Sequence, residues 1–123
     1  MSLQFNVFGE ELKSCSCKPL TGFFRDGFCH LGEEDFGIHS VCIQVTDEFL
    51  EFSKQAGNDL SAPMAEHGFP GLKSGDRWCL CAVRYKEAFD AGKAPHVILT
   101  STNEETLAII SLEDLKSKAI DLA

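Results

Sequence analysis

Nine of the ten glycines and three of the four prolines fall in two stretches, Gly9 to His39 and Gly57 to Gly75. Glycine and proline punctuate regular structure, so neither stretch reads as helix or strand. Loops this long within 123 residues are either disordered or functional, and the aromatic content separates the two. Phe23, Phe24, Phe28, Phe36 and Phe69 lie inside them, each worth roughly 1.5–3 kcal/mol when buried. A disordered linker is poor in aromatics. Both stretches are therefore expected to be ordered and folded back onto a core.

The regular elements must come from what remains. Gln4 to Phe8 alternates as a strand does, and in Ser40 to Val45 the β-branched Val41, Ile43 and Val45 share a face. Thr46 or Asp47 can cap a helix running to about Ala56, with Phe49, Leu50 and Ser53 on its inner face and Gly57 as its stop. His96 to Thr102 reads as a third strand. Ser111 opens a last helix carrying Leu112, Leu115 and Ala119. Between Arg77 and Ala91, residues Trp78, Cys81, Ala82, Tyr85, Ala88 and Phe89 follow helical spacing, with Asp76 at the N-cap and Gly92 at the stop. That spacing predicts a single buried helix over Arg77 to Ala91. The expected fold is α+β, with residues 1–123 forming a single compact domain: a small sheet, about three helices and long ordered Gly/Phe-rich loops.

The charge balance narrows the partners. Nineteen acidic and eleven basic residues give a net charge of -8, and a surface that acidic repels nucleic-acid backbones and anionic membranes. No apolar run approaches the roughly 20 residues that span a bilayer, and the first residues lack the pattern of a secretory signal. A cytoplasmic location is expected, with a small molecule as partner and neither nucleic acid nor membrane. The oligomeric state cannot be read.

Six cysteines, Cys15, Cys17, Cys29, Cys42, Cys79 and Cys81, then have three roles open to them: packing as thiols, ligating a metal, or reacting as thiolates. In a reducing compartment no structural disulfide is expected. Zinc takes four Cys or His ligands, and Cys15, Cys29, Cys42 and Cys81 are the candidates, but no familiar spacing is present and zinc is not the favoured reading. Cys79 has the sharper chemistry. In the first turn of a helix beginning at Arg77, its thiolate would be favoured by free amides and the helix dipole.

Common catalytic motifs are missing, and what remains is a concentration of polar groups in the irregular stretches. Arg25 and Asp26, the acidic run Glu33 to Asp35, His39, Asn58 and Asp59, and Asp76, Arg77 and Trp78 all belong to it. The acidic run reads as solvated loop surface. The rest could form a pocket where the two loops meet the start of the Arg77 helix. There Arg25 or Arg77 would hold an anion, Trp78 would wall the site, and Cys79 and His39 would be the reactive groups.

Several strings, among them Pro19-Leu-Thr-Gly-Phe-Phe-Arg-Asp-Gly, Gly37-Ile-His-Ser-Val-Cys, Gly57-Asn-Asp-Leu-Ser-Ala-Pro and Gly75-Asp-Arg-Trp-Cys-Leu-Cys-Ala, resemble a bacterial family known only as domain of unknown function 2237. The resemblance covers nearly the whole chain and implies a compact single domain with no established activity. Two positions depart from that family's pattern. Phe28 stands where a second cysteine usually precedes Cys29, and Asn103 where histidine is usual.

The leading expectation is a domain that binds a small anionic molecule, with an enzymatic role for a thiol or histidine left open. The alternative is a non-enzymatic metal-binding or partner-binding protein whose cysteines are structural.

Overall fold

The alternation of Val41, Ile43 and Val45 with Cys42 and Gln44 decides the sheet, because a strand sends successive side chains to opposite faces. Strand β1 (Val41–Gln44) is central in a three-stranded antiparallel sheet of order β2-β1-β3. Its neighbours are β2 (Arg77–Leu80) and β3 (His96–Val97). The computed structural model describes residues 3–36, 38–64, 66 and 69–121. Gly37 and the expected loop residues Ala65, His67 and Gly68 lie outside these.

One face of the sheet is aliphatic. Val41 stands opposite Leu80, and Ile43 opposite both Trp78 and Val97, all in one buried cluster with Phe49, Tyr85 and Leu115. Helices cover this face. Helix α1 (Asp47–Gln55) begins where the Thr46 hydroxyl accepts the Phe49 amide at 3.1 Å, and it buries Phe49, Leu50 and Ser53. Helix α3 (Leu112–Lys116) is capped in the same way by Ser111. Between them in sequence, α2 (Ala82–Asp90) buries Ala82, Tyr85 and Ala88. Burial pushes the Tyr85 hydroxyl well above its ordinary value, and the charge of Asp114 acts in the same direction.

The opposite face is sulfur-rich. Cys42 and Cys79 are cross-strand partners, and each is bonded to a cysteine of the first loop, giving the disulfides Cys15–Cys42 and Cys29–Cys79. These four residues and Ile98 form a second buried cluster. The expectation of a disulfide-free protein is thus overturned. Reasoning from compartment could not see that β1 and β2 place two cysteines side by side under a loop that carries two more. Only Cys17 and Cys81 are free thiols.

The long helix expected over Arg77 to Ala91 also divides. Its first four residues are β2, and α2 begins at Ala82. A strand buried on both faces reads as one continuous apolar run, and Trp78-Cys-Leu-Cys is such a run. Its helical spacing reflected burial on all sides, while the true helix starts after Cys81. Gly92 ends that helix as expected, at φ 73°. The outer strands shrink as well. Gln4 to Phe8 contributes isolated bridges, Phe5 to Glu11 and Asn6 to Asn103. His96 to Thr102 gives a two-residue strand followed by a 3₁₀ turn at Leu99–Ser101.

The first loop is ordered by bonds that replace a ladder. Cys15 donates to the Gly27 carbonyl at 2.7 Å, Gly27 to Thr21 at 3.0 Å, and Lys13 to Thr100 at 3.1 Å. Thr21, fully buried, accepts the Cys79 amide through its hydroxyl at 2.8 Å. That bond fixes the loop to the outer edge of β2.

Candidate functional site

Against this edge lies a cavity of about 550 Å³, lined from the first loop by Gly22, Phe23 and Arg25, from the segment before β1 by His39, and from the second loop by Asn58, Asp59, Leu60, Met64 and Phe69. Trp78 through Cys81 form its floor. Its size is within the roughly 300–1,000 Å³ usual for small-molecule sites.

Arg25 is the one arginine or lysine among the described lining residues. Its guanidinium carbon lies 5.1 Å from the centre of the Trp78 ring, and Nη1 donates to the Gly22 carbonyl at 2.8 Å. The backbone at Arg25 is left-handed, φ 54°, a conformation costly for a residue with a Cβ. Gly22 (φ 100°) permits the turn that presents it, because any Cβ there would overlap the Phe28 carbonyl oxygen. Phe69 meets Trp78 edge-on at 5.0 Å, so the indole is held between an aromatic ring and a cation.

His39 follows a second left-handed residue, Ile38 at φ 51°. Its Nδ1 lies 2.6 Å from Asp35 Oδ1, and its backbone amide donates to Asp35 Oδ2 at 3.1 Å. The Asp35 side chain is 1% exposed and the His39 ring 41% exposed. A carboxylate at that distance accepts a hydrogen bond from the Nδ1 proton, and a neutral imidazole so held would present Nε2 as its acceptor. Phe23 stacks on the imidazole at 6.4 Å. Glu33 and Glu34 are exposed, but Asp35 is buried, which corrects the reading of the whole acidic run as solvated surface.

Opposite in charge to Arg25, Asp59 is the acidic lining residue. The hydroxyl of Ser61, at 2.6 Å, and then its amide, at 3.0 Å, hold the Asp59 carboxyl below the usual carboxylate range.

The cavity thus brings together Arg25, His39, Asn58, Asp59, Trp78 and Cys79, while three other expected site residues lie elsewhere. Asp26 accepts the Phe28 amide and contacts His30 Nδ1 at 2.7 Å. Asp76 caps no helix. It accepts the Lys73 amide at 3.0 Å in a turn before β2 and borders a separate hollow with Cys17 and Lys73. Arg77 is an exposed strand residue opposite Gln44. Cys79 reaches the cavity wall but is 1% exposed and bonded to Cys29, so it offers no free thiol.

The zinc candidates separate similarly. The sulfurs of Cys15, Cys29 and Cys79 lie within 4.8 Å of one another, and Cys42 joins their buried cluster, but all four are consumed in disulfides. Cys81 lies apart from them, in the cavity wall. Sequence reasoning missed Asp35 and Cys81 as lining or supporting groups. The available signals were the four-residue spacing of Asp35 and His39, and the position of Cys81 just before the first true helical turn. Asn103 is buried, bonding Gln4 at 2.7 Å and the Cys29 carbonyl at 3.2 Å, which makes it a support of the loop.

Fold and cavity together define a small α+β domain, stapled by two disulfides, with a mixed aromatic and polar cavity at its sheet edge. The chain belongs to the family described as "Uncharacterized protein conserved in bacteria (DUF2237)", which matches residues 5–119. No curated protein matches the sequence. Among the described residues no helix is long and apolar enough to cross a membrane.

Proposed function

We propose that the domain binds a small molecule with an anionic group and a flat apolar body in the cavity beside β2. The observation that carries this reading is Arg25, held in a left-handed turn over Trp78 in a protein of net charge -8. A lone cation backed by an indole is an anchor for a carboxylate or phosphate. Phe23, Leu60, Phe69 and Leu80 supply the apolar contact. The alternative of purely structural cysteines accounts for the buried sulfur cluster but leaves this cavity without a role. The two disulfides weigh against the cytoplasmic location expected from the sequence, because structural disulfides persist in oxidising compartments.

Trp78 is the only tryptophan, so its fluorescence reports on the site directly. Titration with aryl carboxylates that do not absorb where indole is excited, such as benzoate and phenylacetate, should give a saturable change, weakened at least tenfold in Arg25→Gln. An unchanged spectrum at millimolar concentrations, or equal binding by Arg25→Gln, would refute the anionic-ligand reading.

A further inference from the structure

We propose that Cys81 is the nucleophile of an acyl-transfer reaction in this cavity, with His39 as its general base and Asp35 as the positioning residue behind the histidine. The proposal rests on the binding reading above for its anionic substrate. Three observations converge on it. First, Cys81 is a free thiol, partly exposed and in the cavity wall. Second, it is the N-cap of α2, and no side chain caps that helix, so beyond Ala82, whose amide is bound by Ile38, the Val83 and Arg84 amides of the first turn face no capping side chain. Third, His39 lines the same cavity, with Nδ1 2.6 Å from the buried Asp35 carboxylate, so that a neutral ring would offer Nε2 to the thiol proton.

The chain topology sets the two segments next to each other. Val41 pairs with Leu80, and the Ala82 amide donates to the Ile38 carbonyl at 3.0 Å, so the segments carrying His39 and Cys81 run side by side. A second histidine–carboxylate pair, Asp26–His30, has the same spacing but lies outside the cavity's described lining. A nucleophile, a base and an orienting acid are the minimal set for covalent catalysis.

The chemistry closes without an external oxidant. His39 Nε2 takes the Cys81 proton, and the thiolate adds to the carbonyl carbon of a small ester whose acyl part carries an anion held by Arg25. The carbon–oxygen bond to the alcohol breaks, and the alcohol leaves with the proton from His39. Water, deprotonated by the same nitrogen, then cleaves the thioester to a carboxylic acid and restores the thiol.

The test uses 4-nitrophenyl acetate and mono-4-nitrophenyl succinate, with nitrophenolate release and mass spectrometry as readouts. Cys17 is exposed and serves as an internal control, since accessibility alone would make it the faster thiol. Acyl label should appear on Cys81 at least tenfold faster than on Cys17. It should fall about 100-fold in His39→Gln and be lost in Cys81→Ser, with Cys17 labelling unchanged. Asp35→Asn should lower the rate at saturating probe about tenfold and leave the half-saturating concentration unchanged. Arg25→Gln should lower labelling by the succinate ester more than labelling by the acetate ester, so the ratio of the two rates separates the binding reading from the nucleophile. Label confined to Cys17, or Cys81 labelling indifferent to His39, would overturn the assignment.

Discussion

On one face of the sheet Val41, Ile43, Trp78 and Leu80 meet helices, while on the other Cys42 and Cys79 meet a loop without regular structure. A helix satisfies its own backbone and has only to offer an apolar stripe. A loop must find partners for its peptide groups one at a time. The second face is accordingly crowded with buried polar side chains. Thr21 accepts from β2, Thr102 accepts the Cys42 amide at 3.1 Å, and Ser40 and Thr106 share a bond of 2.6 Å. Such bonds contribute about 1 kcal/mol each. Two covalent links, closing sequence separations of 27 and 50, add a further tie between the loop and this face. The cavity lies where the stapled loop meets the edge of β2, so the same links hold Arg25 and His39 in position.

The comparison breaks most decisively under reductant. Each disulfide should contribute roughly 2–4 kcal/mol by restricting the unfolded chain, against a total of about 5–15 kcal/mol for a domain. Reducing both should lower the melting temperature more than any single core truncation, and the Trp78 signal should report loss of the cavity. Identical melts with and without reductant would mean that packed thiols suffice on the sulfur face.

Truncation on the helix-covered face comes next. Phe49 is 1% exposed, and Phe49→Ala should cost about 3–5 kcal/mol in denaturant unfolding. The Cys29–Cys79 disulfide should still resist reduction under native conditions. If that disulfide became readily reducible together with the loss of Phe49, the two faces would be one cooperative structure and the distinction would fail.

Legibility followed the same division. Helix α1, its Thr46 cap, the Ser111 cap and the strand around Ile43 were readable, because each is a local pattern of capping and periodicity. The α+β class followed from them. The boundary at Cys81 was not readable. Burial on both faces of β2 erases the alternation that marks a strand, and Ala82, Tyr85 and Phe89 continue the helical spacing beyond it. The disulfides depend on the register that places Cys42 against Cys79, a contact between segments 37 residues apart in sequence. At the site, the polar loops carry Arg25, His39, Asn58 and Asp59, which line one cavity with Trp78. They could not foretell that Asp35 turns inward while Glu33 and Glu34 do not. That depends on the left-handed step at Ile38, and no local preference of isoleucine favours it.

The smallest expected effect lies where the chain's last described residue secures the sulfur face. Asp121 accepts the Leu99 amide at 2.8 Å, and the Thr100 amide and hydroxyl at 3.0 and 2.9 Å. These groups flank Ile98, which belongs to the cysteine cluster. Burial alone would raise the Asp121 carboxyl, but the Thr100 and Leu99 amides and the Thr100 hydroxyl outweigh it, and the balance lies below the ordinary 3.8. A carboxylate lowered in the folded state contributes stability that is complete above its unfolded value and is lost as pH falls through the folded one. Asp121→Ala should therefore cost about 1 kcal/mol at neutral pH, a figure already reduced for the exposure of the group. The gap between the two proteins should stay constant down to about pH 5 and close as pH falls below about 4. Paired urea titrations across that range measure the gap directly, because the other carboxylates are common to both proteins. A gap that persists undiminished to pH 2 would mean that the segment is held by its backbone bonds, such as Ile120 to Val97 at 3.0 Å, rather than by the charge of Asp121.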